Sequence, residues 1–381
     1  MSAEYLDDSF HWVRDGKALE DMAALIAQQS FVAVDTEFRR RDTFYPEVAL
    51  LQLAAAGQCW LIDPLTLTDT KPLQALFGQT NLVKVLHSAS EDLEVFERWL
   101  GVLPRPIVDT QKAAAMLGMG FGLSYRDLVR DLLSIDVAKD ETQSDWLIRP
   151  LTQAQCQYAM QDVTFLAQCW PILEARAEAC GHLPWILEES GGMVTGGRGP
   201  LAKFKSAWKL SPQQLAVLLD LIDWRESQAR RRDRPRNWIL HDKVIQDIAK
   251  KIPTSMPQLA DSEGMPAGVL RREGKQLVAL IAAACERALS DPPTAIPAPA
   301  NSRVRKLAKS LAPAMASLAS ELGMNVEILM PSRELEMLAS FATGEGLLPR
   351  PAHWQGWRHS AVIKPLELEA QRLLGEQNHA G

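Results

Sequence analysis

The stretch "FVAVDTEFRR" (31–40) opens with four apolar residues and then sets Asp35 and Glu37 where the strand continues. Side chains alternate faces along a strand, so these two carboxylates, two residues apart, point the same way. Left unpaired beside apolar neighbours, they would suffer both desolvation and mutual repulsion. Three remedies exist: solvent at the strand end, an arginine from Arg39, Arg40 or Arg41, or a divalent cation. The surrounding chain has to decide among them.

Working outward, "EVALLQLAAA" (47–56) and "CWLIDP" (59–64) read as strands joined by a turn around Gly57. "NLVKVLH" (81–87) is another strand, followed by a helix from Ser90 to about Leu100, and "RPIVDT" (105–110) is a fifth. Helices are expected over 110–118, 124–133 and 152–179. Three strands in hairpin-like succession, then strands alternating with helices, predict a mixed α/β sheet. Two breaks follow: "ESGGMVTGGRGP" (189–200), with five glycines, reads as a flexible connection, and "DPPTAIPAPA" (291–300) as a stiffer spacer. Three modules result, 1–190, 201–290 and 301–381, the last two helical and readable as divergent copies of one small domain. Ser211 caps the first helix of the second module, with Pro212 at its first position.

With 381 residues, 47% of them hydrophobic, the chain can bury a sizeable core divided among domains. Its apolar runs fall short of a membrane span, and "MSAEYLDDSF" (1–10) is acidic without an apolar signal core. The five cysteines (59, 156, 169, 180 and 285) are scattered and never form a CxxC pair. These features predict a cytoplasmic protein with no membrane association, no disulfide framework and no zinc knuckle. The net charge of −6 hides an asymmetry: residues 1–190 hold 15 Lys+Arg against 28 Asp+Glu, whereas residues 191–290 hold 17 against 10. An acidic half beside a basic segment suits a metal-using enzyme that grips a polyanion through a neighbouring module.

Two further acidic sites join the first. In "HSASEDLEVFERW" (87–99), Asp92 falls in the first turn of the helix after the fourth strand. Ser88 and Glu91 fit a capping box there, so Asp92 could simply favour a helix N-terminus. In "YAMQD" (158–162), Tyr158 and Asp162 share a helix face at i,i+4 spacing, which an ordinary Tyr–Asp hydrogen bond would also explain. Taken together in one acidic module, the three sites fit a pair of hard cations held by carboxylates. Asp109 and Asp145 are read as capping and loop acids, His87 as a strand-end residue, and Gln52 as a structural hydrogen-bonder. "GMGFGLS" (118–124) follows a helix and lacks GxGxxG spacing, and the first strand ends in Asp-Thr-Glu, so no nucleotide cofactor is expected.

The segments "VDTEF", "FYP", "LLQLA", "LHSASEDLEVF", "DTQKAA" and "SDWLIRPLTQAQCQYAMQDV" together resemble the 3′→5′ exonucleases with an Asp-Glu-Asp-Asp signature, in the branch marked by Tyr-x-x-x-Asp. The second module's "WRESQARRRDRPRNWILHD" (224–242) resembles the small HRDC-type helical domain shared by RecQ-type helicases and ribonuclease D. Along nearly its whole length the chain is similar to the bacterial ribonuclease D family. The resemblance implies a ribonuclease H-like exonuclease domain followed by two all-α HRDC-type domains. It implies Asp35, Glu37, Asp92 and Asp162 as ligands of two Mg²⁺ or Mn²⁺ ions, with Tyr158 orienting or helping to deprotonate the attacking water. The implied activity is release of nucleoside 5′-monophosphates from the 3′ ends of tRNA precursors and other small structured RNAs. A DNA exonuclease, or an RNA-binding protein with a dead site, remains the alternative. Arg225, Arg230, Arg231, Arg232, Arg234 and Arg236, flanked by Trp224 and Trp238, are the expected RNA-contacting surface, although tryptophans in such a domain serve more often in its core.

Overall fold

The structure, a computed structural model, describes residues 9–137, 144–192, 199–346 and 349–379. The acidic opening at 1–8, and residues 193–198 of the expected flexible connection, lie outside the described residues. Six strands form one sheet in the order β1-β4-β3-β2-β5-β6. They are β1 (His11–Val13), β2 (Phe31–Arg39), β3 (Glu47–Ala55), β4 (Gln58–Ile62), β5 (Val83–Leu86) and β6 (Ile107–Asp109). The β2–β3–β4 meander is antiparallel, while β5 and β6 extend it in parallel on one side and β1 pairs in parallel with β4 on the other. The five expected strands are all present; β1 is too short to carry a strand signal.

Helices α1 (Gly16–Ile26), α2 (Lys71–Gly78), α3 (Ser90–Leu100), α4 (Thr110–Met116), α5 (Tyr125–Leu133), α6 (Gln153–Ala179) and α7 (Leu183–Gly191) cover the sheet. The alternation of β2 divides them. Val32 and Val34 pack with Leu19, Ile26, Phe77 and Phe96 from α1, α2 and α3. Ala33, with Leu50, Leu61 and Val85 from neighbouring strands, packs with Ala159, Val163 and Trp170 of α6. Asp35 and Glu37 continue the Ala33 face and therefore point to the α6 side. Pairing of β2 with β5 ends at Ala33↔Val85, so both acids project beyond that parallel neighbour at its carboxyl end.

The chain divides into two compact units, one comprising 1–39, 46–196 and 300–381, the other 40–45 and 197–299. The second unit contains α8 (Pro212–Arg232), α9 (Arg236–Ile239), α10 (Asp242–Lys251), α11 (Met256–Ala260) and α12 (Ala267–Ser290) around their own core. Ser211 caps α8 through a box with Gln214. Asp233, in the left-handed region after α8, accepts from the backbone N–H groups of Phe44 and Tyr45 at 2.9 and 3.0 Å, and Phe44 is buried in this core.

In the first unit, α13 (Ser302–Leu322), α14 (Val326–Leu329), α15 (Ser332–Ala342), α16 (Gly356–Arg358) and α17 (Lys364–His379) share one hydrophobic cluster with α4, α6 and α7. Trp357 stacks on Trp185 at 5.1 Å between ring centroids, and Trp185 on His182 at 5.0 Å. The buried Arg358 joins Glu189 at 2.7 Å while donating to the carbonyls of Ile328 and Leu329. Asn325 donates its backbone N–H to Ala115 and accepts from Gly120 N–H, both at 3.0 Å. Gly118, at φ +70°, lies so close to the Gly323 carbonyl that a Cβ there would meet it at 2.7 Å. Helices α8, α9 and α10 begin 90 residues before α13, α14 and α15 respectively, and each long helix ends in a left-handed residue, Asp233 or Gly323.

Trp357→Ala removes a buried aromatic from this shared cluster and should cost about 3–5 kcal/mol of folding free energy. Urea unfolding of the whole chain measures it. A loss under about 1 kcal/mol would mean that residues 300–381 do not support the core beneath the sheet.

Candidate active site

The structure brings three of the four expected acids into one group: ligand oxygens of Asp35, Glu37 and Asp162 all lie within 4.8 Å of one another. Asp162 arrives on α6, whose start is fixed by a capping box between Thr152 and Gln155. One turn earlier the Tyr158 hydroxyl donates to the Asp162 carboxylate. Tyr125, from α5, divides its hydroxyl between the carbonyls of Gln161 and Asp162 at 2.8 and 2.7 Å, pinning that turn of the helix. Sequence reading did not single out Tyr125; a lone tyrosine after a serine cap carries no signal of its tertiary partner.

Asp92 stands at the same strand end but approaches from the other face. Its carboxylate accepts from Thr36 Oγ1 at 2.5 Å, and Thr36 lies between Asp35 and Glu37, pointing opposite to both. The expected Ser88–Glu91 capping box does not form: α3 starts at Ser90, Ala89 precedes it without a side-chain cap, and Ser88 sits at φ +60°. The Asp109 carboxylate takes over, accepting from the N–H groups of Ser88, Ala89 and Gln111 at 3.0, 3.2 and 2.9 Å. One charged acceptor thus satisfies a turn and the start of α4 together, a stronger arrangement than a serine hydroxyl offers. The turn it shapes delivers Asp92. His87 is occupied by Thr110 Oγ1 and the Leu123 carbonyl, and burial lowers its pKa, as befits a neutral structural residue.

Two of the three arginines considered as a remedy have partners other than the four acids. Arg39 pairs with Glu47 at 3.0 Å and Asp145 at 3.8 Å, and Arg40 donates to the Phe44 carbonyl. Burial followed by repulsion from Asp162, Asp92 and Glu37 holds the Asp35 carboxyl well above its usual range. Burial, with Asp162 and Asp92 adding to it, pushes Glu37 up to about 9. Asp92 and Asp162 are pushed up to about 7, again chiefly by burial. Burial and the neighbouring acids raise the Tyr158 phenol as well, so it stays protonated near neutral pH and serves as a donor. Crowded, desolvated oxygen donors of one sign, without a histidine or cysteine among them, fit hard divalent cations.

The arginine segment of the second unit divides differently from expectation. Arg225 is fully buried, bound to Asp242 and the Leu240 carbonyl, so it is a core ion pair and cannot meet RNA. It lies on the α8 stripe beside Leu218, Leu221 and Ile222, the inward face. Arg236 binds Glu226 with both branches, and Arg232 pairs with Glu273. Arg230, Arg231 and Arg234 remain exposed, although Arg231 also donates to Gln228. Trp224 is buried as core, whereas Trp238 is 62% exposed with the Arg234 guanidinium 5.8 Å from its ring.

A family model described as 3′-5′ exonuclease matches residues 10–178, and one described as HRDC domain matches 214–281. Ribonuclease D of Pseudomonas paraeruginosa is 41% identical over 93% of this chain and 96% of its own. Ribonuclease D of Escherichia coli is 33% identical over 94% of this chain and 97% of its own. The crystal structure of Escherichia coli RNase D, described as an exoribonuclease involved in structured RNA processing, superposes with a TM-score of 0.86 at 31% identity, covering 96% and 99% of the two chains. The catalytic core of RRP6 from Trypanosoma brucei shares 25% identity at a TM-score of 0.54 over 74% of this chain.

Because these carboxyls hold protons more tightly when folded than unfolded, their contribution to stability is full below the ordinary carboxylate pKa near 4. In metal-free protein it is lost as pH rises through about 7 for Asp92 and Asp162 and about 9 for Glu37. Thermal unfolding in chelator should therefore fall from pH 5 to pH 9. Asp162→Asn should raise the midpoint at pH 8.5 by several degrees, at roughly 2–4 °C per kcal/mol, and lose most of that gain at pH 5. An equal effect at both pH values would contradict the crowding.

Proposed function

The chain belongs to the ribonuclease D family and is a 3′→5′ exoribonuclease, and on that premise we propose that it trims 3′ extensions from tRNA precursors and other small structured RNAs. It releases nucleoside 5′-monophosphates one at a time, using two Mg²⁺ ions for which Mn²⁺ can substitute. The single observation that carries the reading is the meeting of Asp35, Glu37 and Asp162 oxygens within 4.8 Å, with Asp92 at the same strand end.

In this reading Asp35, Glu37 and Asp162 hold the cations, and Asp92 supports them from the Thr36 side. When bound, such ions supply Lewis-acid stabilisation of the attacking and leaving oxygens of the phosphodiester. The chain's own contribution is placement. Tyr158, kept protonated, orients Asp162 and the incoming water by donating hydrogen bonds; with its pKa raised it is no base. Tyr125 fixes the α6 turn that carries both residues. Exposed Arg230, Arg231 and Arg234 contact RNA phosphates, and Trp238 offers an unpaired base a stacking face. Residues 1–190 form the exonuclease domain, 201–290 an HRDC-type domain, and 301–381 its divergent copy; the 90-residue offset between their helices supports that descent. No described helix is long and apolar enough to cross a membrane, and the cysteines are all free, which supports a reducing cytoplasm.

A 3′-extended tRNA incubated with the protein and Mg²⁺ should yield nucleoside 5′-monophosphates and a trimmed tRNA, and none with chelator. Asp35→Asn should lower that rate by about 10³-fold or more, the several kcal/mol expected of metal-assisted charge stabilisation, while tRNA binding persists. Undiminished release by the variant would remove the metal mechanism. Faster loss of a matched DNA oligomer would remove RNA as the substrate.

A further inference from the structure

Gln52 is fully buried, yet neither its Nε2 nor its Oε1 has a hydrogen-bond partner among the described residues. A buried amide left this way bears the full desolvation penalty of both groups, and nearly all buried polar groups avoid it. The sheet identifies what the amide faces. Gln52 lies on β3 between Leu50 and Ala54, on the face that packs against α6. Its cross-strand neighbours are Leu61 on β4, which offers nothing polar, and Asp35 on β2. Directly opposed residues in an antiparallel pair place their Cβ atoms about 4.5–5.5 Å apart on the same face. A glutamine is long enough to cross that gap.

We propose that Gln52 is a positioning residue for Asp35, its Nε2 donating to the Asp35 carboxylate when the cation site is filled. The inference rests on the metal-site reading above. Asp35 is crowded by Asp162, Asp92 and Glu37, and a carboxylate has about four lone-pair sites. A cation draws on some of them and leaves others for a donor. The protein supplies that donor from a strand on which every neighbouring side chain of the same face is apolar. Partners of this kind fix ligand orientation, and their loss typically lowers metal affinity about 10–100-fold.

The test uses the full chain and Mn²⁺, with free Mn²⁺ followed by electron paramagnetic resonance. Gln52→Met keeps the side chain's length and removes both polar atoms. It should fold with a metal-free thermal midpoint equal to or above that of the unaltered protein, and bind Mn²⁺ about 10–100-fold more weakly. Affinity within about twofold of the unaltered protein would overturn the assignment and leave the metal site standing. Should the variant fail to fold, the side-chain ¹⁵N resonance of Gln52 in the unaltered protein reports instead. It should shift on addition of Mg²⁺, and an unmoved resonance overturns the proposal. No Mn²⁺ binding by the unaltered protein would overturn the metal reading and the assignment together.

Discussion

Repulsion among carboxylates, set against the burial that brings them together, is the interaction on which the rest of this structure depends. Asp35 and Glu37 cannot separate, because a strand's two-residue period fixes both to the face toward α6. Asp162 cannot retreat, because Tyr125 ties down the carbonyls of its helical turn. Asp92 is delivered by a turn that Asp109 holds through three N–H donors. Each acid is thus held by backbone geometry that does not depend on the charge it carries. The result is a site strained in one specific way, and its carboxyl pKa values are raised first by burial and then by the neighbouring acids.

Much of this was legible in the residues. The shared face of Asp35 and Glu37 and the Tyr158–Asp162 spacing follow from the periods of strand and helix, so local pattern sufficed for them, although β2 runs on to Arg39 and does not end at Glu37. The strands of a mixed sheet were legible for the same reason, while the parallel extension of the β2–β3–β4 meander was implied by the family resemblance. Strand β1 was not, since three residues carry no period, and its pairing with β4 is set by tertiary contact. The Ser88–Glu91 box failed because a charged competitor distant in sequence, Asp109, took the donors that the local motif would have used. Tyr125 escaped notice because its partners are backbone carbonyls, which carry no sequence signature.

The helical segments illustrate where composition misleads. Counting arginines over 225–236 treats them as one surface, but an α-helix divides them by angle. Arg225 falls on the buried stripe with Leu221 and Ile222, whereas Arg230 and Arg231 turn outward. A short charged run therefore contains a core ion pair and a candidate RNA contact side by side. Residues 300–381 repeat the spacing of the preceding helical unit, yet their apolar faces close upon α4, α6 and α7. The same helical pattern can thus build an independent core or complete that of a neighbour, depending on which face is apolar.

If crowding of acids creates the cation site, filling that site must expel protons. Calorimetric titration of the full chain with Mg²⁺, repeated in buffers of different ionisation enthalpy, counts them directly. The account predicts clear proton release near pH 6.5 that diminishes toward pH 9, as the carboxyls become ionised before the metal arrives. Binding that releases no protons across that range would mean the four acids are already charged and uncrowded, and would contradict it.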